Sequence, residues 1–368
     1  MNNDLLHSIA LTLVPNIGPV QAKILVDHFG DAASIFKAKK SSLEKLEGIG
    51  EKRASLIKLF TGYKKAETEI SFIEKYKIAP LFITDKTYPK RLLNCYDPPT
   101  LLYYRGTADL NTAKMVAIVG TRSKTEYGRQ LTEKLVSGLE AQQVTIVSGL
   151  ALGIDAIAHK AALKHQLSTV AVVAHGLDNI YPPEHNVLAK DIIKQKGGLL
   201  TEFMSNTKPD RHNFPSRNRI VAGMCDATIV VETDIKGGSI ITAELANGYD
   251  RDVFAFPGKT TDSKSAGCNF LIKNNKAILL TGAADLVETM GWQELTTKPK
   301  KIQQELFIQL SPAEKMIVDI LHEKESAAID ELNNKSNLSS SMVAAAILNL
   351  ELQNIVLSLP GKMYRLVK

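Results

Sequence analysis

MVAIVG (115–120), VTIVSG (144–149), STVAVVAHG (168–176), GGLLTEF (197–203), ATIVVE (227–232) and RDVFAFPG (251–258) are short apolar runs, each ending at glycine or a polar residue. Amphipathic stretches of helical length separate several of them. Their apolar character is continuous rather than alternating, which marks strands buried on both faces, and strands alternating with helices make a doubly wound, mostly parallel α/β sheet. Ligands of such sheets bind beyond the carboxyl ends of the strands. Those ends are where this sequence concentrates glycines, hydroxyls and arginines.

The first run continues as GTRSKTEYG (120–128). Gly120 permits a close backbone turn, Thr121 offers a hydroxyl, and Arg122 carries a guanidinium fork suited to phosphate oxygens next to a following helix N-terminus. The motif is not the GxGxxG of dinucleotide folds, so no nicotinamide cofactor is expected. At the second run, SGLALGIDAIAH (148–159) places Ser148 and Gly149 at a strand tip. Asp155 and His159, one helical turn apart, have the spacing of an acid/base or metal pair, against which stands a local hydrogen-bonding role. No metal is expected.

FPSRNRIVAG (214–223) crowds Arg217, Asn218 and Arg219 at what reads as a helix start, poor core material and good phosphate ligands, with Phe214 as a face for a base. After the next strand, Lys236, Gly237, Gly238 and Ser239 form a basic, glycine-rich loop before a helix. Convergence of these loops on one sheet edge outweighs any single one and predicts a phosphate-binding groove, to which a nucleic-acid strand offers a row of phosphates. Alanine at Arg122 or Arg217 should then weaken strand binding broadly across sequences and flatten its salt dependence.

Around this domain (81–292) the pattern changes. Residues 1–80 read as all-helical, with LEGIGEKRASLIKLF (46–60) as a helix-hairpin-helix and VPNIGPVQAKIL (14–25) as an earlier copy carrying Asn16 where a first glycine belongs. Glycine turns at helix starts expose amides that receive DNA phosphates, and a purely structural or protein-binding role stays equally open. TTKPKKIQQELF (296–307) reads as a linker within 293–309. Residues 310–368 hold three helices and two strands about Pro360-Gly361, a winged helix, whose third helix is rich in Ala, Leu and Ile and carries no Lys or Arg.

The chain has 368 residues, 44% hydrophobic, enough for two or three domains with a substantial core. Lys and Arg number 45 against 39 acidic residues, a net +6 that permits a polyanionic partner without requiring one. Cys95, Cys225 and Cys268 are odd in number and far apart, which fits free thiols in a reducing compartment. No signal-like start and no bilayer-length apolar run is visible, so a cytoplasmic protein without membrane attachment is expected.

GTR-x4-YG, SGLALGIDAIAH, FPSRNRIVAG, GGSIITAELA (237–246), FAFPG (254–258) and GCNFLI (267–272), in this order and spacing, resemble the DNA processing protein A family, also called DprA or Smf. TYPKRLLNCYDPPTLLYYRGTADL (87–110) looks like the same family's entry into its Rossmann-like domain. The resemblance spans essentially the whole chain, with a helix-hairpin-helix/SAM-like domain before the Rossmann-like domain and a winged helix after it. It implies a non-enzymatic protein of natural transformation that binds and protects incoming single-stranded DNA, helps load the RecA recombinase and acts as a homodimer. Position by position, the implied DNA pocket falls on Gly120, Thr121, Arg122, Ser148, Gly149, Arg217 to Arg219 and Lys236 to Ser239. Thr121 stands where the family commonly has Ser, which keeps the hydroxyl.

Two other readings compete. The fold also resembles nucleoside-monophosphate phosphoribohydrolases with PGGxGTxxE; KGGSIITAE (236–244) keeps the glycines and puts Glu244 at the glutamate, with Arg217 a candidate partner. Lys236 replaces the proline, however, and the branched Ile240 and Ile241 replace the Gly-Thr pair that would approach a phosphate. The third reading is an adaptor that senses a nucleotide, distinguished by saturating with a mononucleotide rather than tightening with strand length.

Overall fold

In a computed structural model, which describes residues 3–293 and 310–367 apart from 325, 354, 360 and 361, all six apolar runs are strands. The expected linker beyond Gln293 and the Pro360-Gly361 turn lie outside the described residues. Six helices come first: α1 (Asn3–Leu13), α2 (Pro19–Phe29), α3 (Ala32–Lys37), α4 (Lys40–Glu44), α5 (Gly50–Lys58) and α6 (Tyr63–Tyr76). Then follow β1 (Ala79–Phe82), α7 (Lys90–Leu93), β2 (Leu101–Gly106), β3 (Met115–Val119), α8 (Glu126–Gly138), β4 (Thr145–Ser148), α9 (Ile154–Lys164) and β5 (Thr169–Val172). The unit closes with α10 (Asn186–Lys194), β6 (Gly198–Thr201), α11 (Asn213–Gly223), β7 (Ala227–Val230), α12 (Gly238–Gly248), β8 (Asp252–Ala255), α13 (Ser263–Lys273), β9 (Ile278–Leu279) and α14 (Ala283–Thr289).

The nine strands lie in the order β1-β2-β6-β5-β4-β3-β7-β8-β9. All neighbours from β6 to β9 are parallel, while β1 on β2 and β2 on β6 are antiparallel. Sequence order runs outward from β3 in both directions, through β4, β5 and β6 on one side and β7, β8 and β9 on the other. β3 is therefore the switch point, where neighbouring crossovers diverge and leave a crevice at the strand ends.

Continuous apolar strands follow from burial on both faces. Val116 and Ile118 of β3 pack with α8, α9 and α14 through Leu135, Ile157 and Leu286, whereas Met115, Ala117 and Val119 belong to the opposite core with Ile220 of α11 and Ala243 of α12. That second core continues into the N-terminal helices through Leu25, Ile57 and Ile70. Glu69 of α6, 2% exposed, accepts hydrogen bonds from the Ser205 amide at 3.0 Å and its hydroxyl at 2.5 Å, tying the helices to the sheet domain.

The hairpin turns explain their sequence. Gly48 and Gly50 have φ of +81° and +64°, and Asn16 stands at φ +63° where a first glycine was expected. Asparagine tolerates the left-handed region better than other side chains, so the first copy keeps its turn without the glycine. Arg53 joins the two turns, donating from Nε to the Asn16 carbonyl (2.9 Å) and from Nη1 to the Gly48 carbonyl (3.0 Å). Lys58 likewise donates to the carbonyls of Phe36 and Ala38. Two of the module's cations thus serve as internal braces.

The C-terminal unit comprises α15 (Pro312–His322), β10 (Ala327–Ala328), α16 (Ile329–Ser336), α17 (Ser340–Leu352), β11 (Val356–Leu359) and β12 (Met363–Leu366). Its sheet order is β10-β12-β11, and its own core is built on Ile317, Leu332, Val343 and Leu350. Ser311 and Glu314 form a capping box at α15, and Ser339 caps α17. This is a winged helix, with one short strand more than the sequence suggested. Among the described residues no helix is long and apolar enough to cross a membrane.

Candidate nucleic-acid interface

Loops after β3, β4 and β7 converge at the switch point, as the run-outs from these strands must in a parallel sheet. Together with α11 and the start of α12 they enclose a groove of about 520 Å³. Its lining includes Gly120, Thr121 and Arg122 after β3, Gly149, Ala151 and Asp155 after β4, Arg211, Phe214, Arg217 and Asn218 from α11 and its approach, and Gly237, Gly238 and Ser239 after β7. Ser148, Arg219 and Lys236 do not line it. The buried Ser148 hydroxyl donates to the Ile118 carbonyl at 2.6 Å, so it bridges β4 to β3. Lys236 is exposed on its loop.

The arginines divide. Arg122 is exposed, and its guanidinium carbon sits 5.2 Å from the centroid of the Phe214 ring, a cation–π geometry that presents charge and an aromatic face together. Arg217 and Arg219 are only 5% and 8% exposed, which corrects the expectation that they are poor core material at a helix start. They lie within α11, and two residues apart on a helix they point to different sides. Arg219 pairs with the Glu202 carboxylate and donates to the Asp97 carbonyl. Arg217 faces the groove, donates to the Val172 carbonyl at 2.8 Å and is offset by the buried Asp155. Buried arginine is tolerated where a carboxylate compensates it, a pairing that one-dimensional spacing does not reveal.

Asp155 also shapes the loop. Its carboxylate accepts the amides of Gly149 (3.1 Å) and Ala151 (3.3 Å), which holds Leu150 at φ +58° and Gly153 at φ +82°. Burial pushes the Asp155 carboxyl up and the Arg217 guanidinium down, and each charge opposes the other's shift. At Gly149 a methyl group would overlap the Arg217 guanidinium, and at Gly120 it would overlap Ile154, so both glycines are required by close approach.

His159 does not meet Asp155. Its Nδ1 lies 2.7 Å from the Thr169 hydroxyl, which itself donates to the Ile146 carbonyl, so the imidazole is the donor. The local hydrogen-bonding reading of both residues fits these contacts, and among the described residues no group of three or more His, Cys, Asp or Glu is placed to hold a metal. Burial pushes the His159 pKa down to about 3. A folded pKa below the ordinary 6.5 means that its stabilising contribution is complete above about pH 6.5 and is lost as pH falls toward 3. Between pH 6.5 and 4, His159→Gln should therefore show a shallower fall in urea-unfolding free energy than the parent, by up to about 1.4 kcal/mol per pH unit. Equal slopes would place the imidazole in a solvated site.

Glu244 does not line the groove; it forms an ion pair with Lys276 at 2.9 Å, both half exposed. The glutamate and arginine of the hydrolase reading are thus not brought together. Sequence reasoning missed Arg211, exposed on the groove wall ahead of Phe214; its signal was proximity to FPSRNR.

Comparison with known proteins covers all three parts. The family described as DNA recombination-mediator protein A matches residues 79–291, a SAM-like helix-hairpin-helix tandem matches 8–61, and a DprA winged helix domain matches 305–362. Protein Smf of Synechocystis is 34% identical over 99% of both chains. DNA processing protein DprA of Streptococcus pneumoniae is 41% identical over 58% of this chain and 76% of its own length. The solved S. pneumoniae DprA superposes with a TM-score of 0.66 at 32% identity, covering 77% of this chain and 97% of that one. Helicobacter pylori DNA processing protein A, whose structure describes a single-stranded DNA binding mode, superposes with a TM-score of 0.53 at 32% identity, covering 58% and 96%. With its Rossmann-like domain, its helix-hairpin-helix tandem and its winged helix all matched, the chain belongs to the DNA recombination-mediator protein A family, the DprA/Smf group of DNA-processing proteins.

Proposed function

We propose that the switch-point groove binds single-stranded DNA by its phosphates, with little sequence preference, and that the chain serves as a recombination mediator rather than an enzyme. The observation that carries this reading is the exposed Arg122 stacked on Phe214 at the mouth of a glycine-walled groove that ends at a helix N-terminus. A guanidinium beside an aromatic face suits a strand, because every nucleotide offers a phosphate to the first and a base to the second. Thr121, Gly149, Asn218 and Arg211 supply further polar wall, and the positions of Gly120, Gly237 and Gly238 let the strand's backbone come close. The H. pylori relative's binding of single-stranded DNA supports the same use here.

Protection of incoming DNA, loading of RecA, a role in natural transformation, action as a homodimer and a cytoplasmic location complete the proposal, and they rest on family membership. Titration of the purified chain with labelled single-stranded oligonucleotides tests the central part. Affinity should rise with length and fall with salt, and duplex of equal length should bind more weakly.

A further inference from the structure

Away from the groove, the outward face of two neighbouring helices is dominated by lysine. Helix α9 packs between α8 and α10, and the residues it leaves exposed are Lys160 and Lys164. Helix α10 buries Leu188, Ala189 and Ile192 and leaves Asn186, Val187, Lys190 and Lys194 outside, with Lys196 exposed just past its end. Among the described residues none of these five lysines has an ion-pair partner. The net charge of the whole chain is only +6, so five unpaired lysines on two adjoining helices are a concentration rather than background. Two carboxylates stand among them, Asp191, half-buried, and Glu184, exposed ahead of α10. Lys164 and Lys194 lie in last turns, where the helix dipole favours a cation. Lys160 and Lys190 sit one turn earlier and have no such local reason.

The lysines continue the line of the groove. A helix joining parallel strands runs back along them, so α9 and α10 both start at the groove end of the sheet and lead away from it. Helix α9 opens directly after the loop whose Gly149 and Ala151 line the groove. The approach to α10 is tied to the same loop, with His185 Nδ1 2.8 Å from the Leu150 carbonyl, and the Tyr181 ring centroid is 6.3 Å from that of Phe214. Ahead of the lysines, Leu152, Tyr181 and Val187 are 45%, 44% and 69% exposed. Apolar and aromatic surface followed by cations one helical turn apart, about 6 Å along the axis, suits a strand that offers bases to the first and successive phosphates to the second.

We propose that the lysine face of α9 and α10 is a second contact surface for single-stranded DNA, which takes the phosphates of nucleotides that have left the groove past Leu152 and Val187. It rests on the groove reading above and extends it to residues outside the groove. The groove holds one part of the strand, and the face determines how much affinity a longer strand gains. Ammonium groups act as hydrated point charges, so this contact is indifferent to sequence and sensitive to salt.

The test uses the full chain and a variant in which Lys160→Gln, Lys164→Gln, Lys190→Gln and Lys194→Gln are combined, all exposed positions where the amide keeps most of the side chain and the melting temperature should not change. Labelled oligothymidines of about 5 and about 20 nucleotides separate the groove from the face. The variant should bind the short strand as the parent does and lose about tenfold or more on the long one. Its slope of log affinity against log salt for the long strand should become shallower by about 2 to 3, at 0.7 per phosphate released. Arg122→Ala, by contrast, should weaken both lengths. Parental affinity and slope for the long strand in the lysine variant, or equal losses on both lengths, overturn the second surface and leave the groove reading intact. Loss of polyglutamate binding with long-strand affinity retained would assign the face to an acidic protein segment and also overturns it. Failure of the parent to bind either length overturns both readings.

Discussion

Arg217→Ala should cost about 3–5 kcal/mol of folding stability, because it strands the buried Asp155 carboxylate without its counter-charge. The guanidinium also packs directly over Gly149, so its removal opens space beneath the groove. Urea unfolding measures the loss. Replacing Asp155 by Asn in the same chain should recover part of it, since an amide costs less to bury unpaired than a carboxylate. A loss below about 1 kcal/mol for Arg217→Ala would mean that the pair is solvated and not part of the core. The expected loss of strand affinity in this variant thus follows from a damaged groove floor as much as from a missing phosphate ligand, which refines the simpler expectation drawn from sequence.

Arg122→Ala is the complementary case. Its side chain is exposed and its one aromatic partner is Phe214, so stability should change by less than about 0.5 kcal/mol. Strand affinity should fall by about tenfold or more across oligonucleotides of different sequence. If Arg122 neutralises one phosphate, the slope of log affinity against log salt should become shallower by about 0.7, the single-strand value per phosphate. Unchanged affinity in the folded variant would remove Arg122, and the rim with it, from the interface.

These two arginines mark the limit of what the amino-acid sequence reveals. Strand positions were legible because parallel strands buried on both faces leave unbroken apolar runs, and Val116 and Met115 confirm it by entering opposite cores. The sheet-end location of the groove follows from the same topology. Strands β1, β2 and β9 lie outside the six runs: the two residues of β9 are half exposed at the sheet edge, and β2, buried from Leu101 to Tyr104, joins the sheet by antiparallel pairing to β6, nearly a hundred residues away in sequence. Burial of Arg217 and Arg219 was hidden for the same reason. Each depends on a carboxylate supplied by another element, Asp155 from α9 and Glu202 from the end of β6, and the residue types alone argue for the surface. Asn16 shows the converse. It stands where a first glycine belongs, and its backbone takes up a positive φ as Gly48 does.

The most direct test of the groove is fluorescence-anisotropy titration of the full chain with single-stranded oligonucleotides of increasing length at two salt concentrations, alongside duplex of equal length. Binding that tightens with length, weakens at high salt and prefers single strands is the expected result; saturation at mononucleotide length with no gain from longer strands, or tighter binding to duplex, would contradict it.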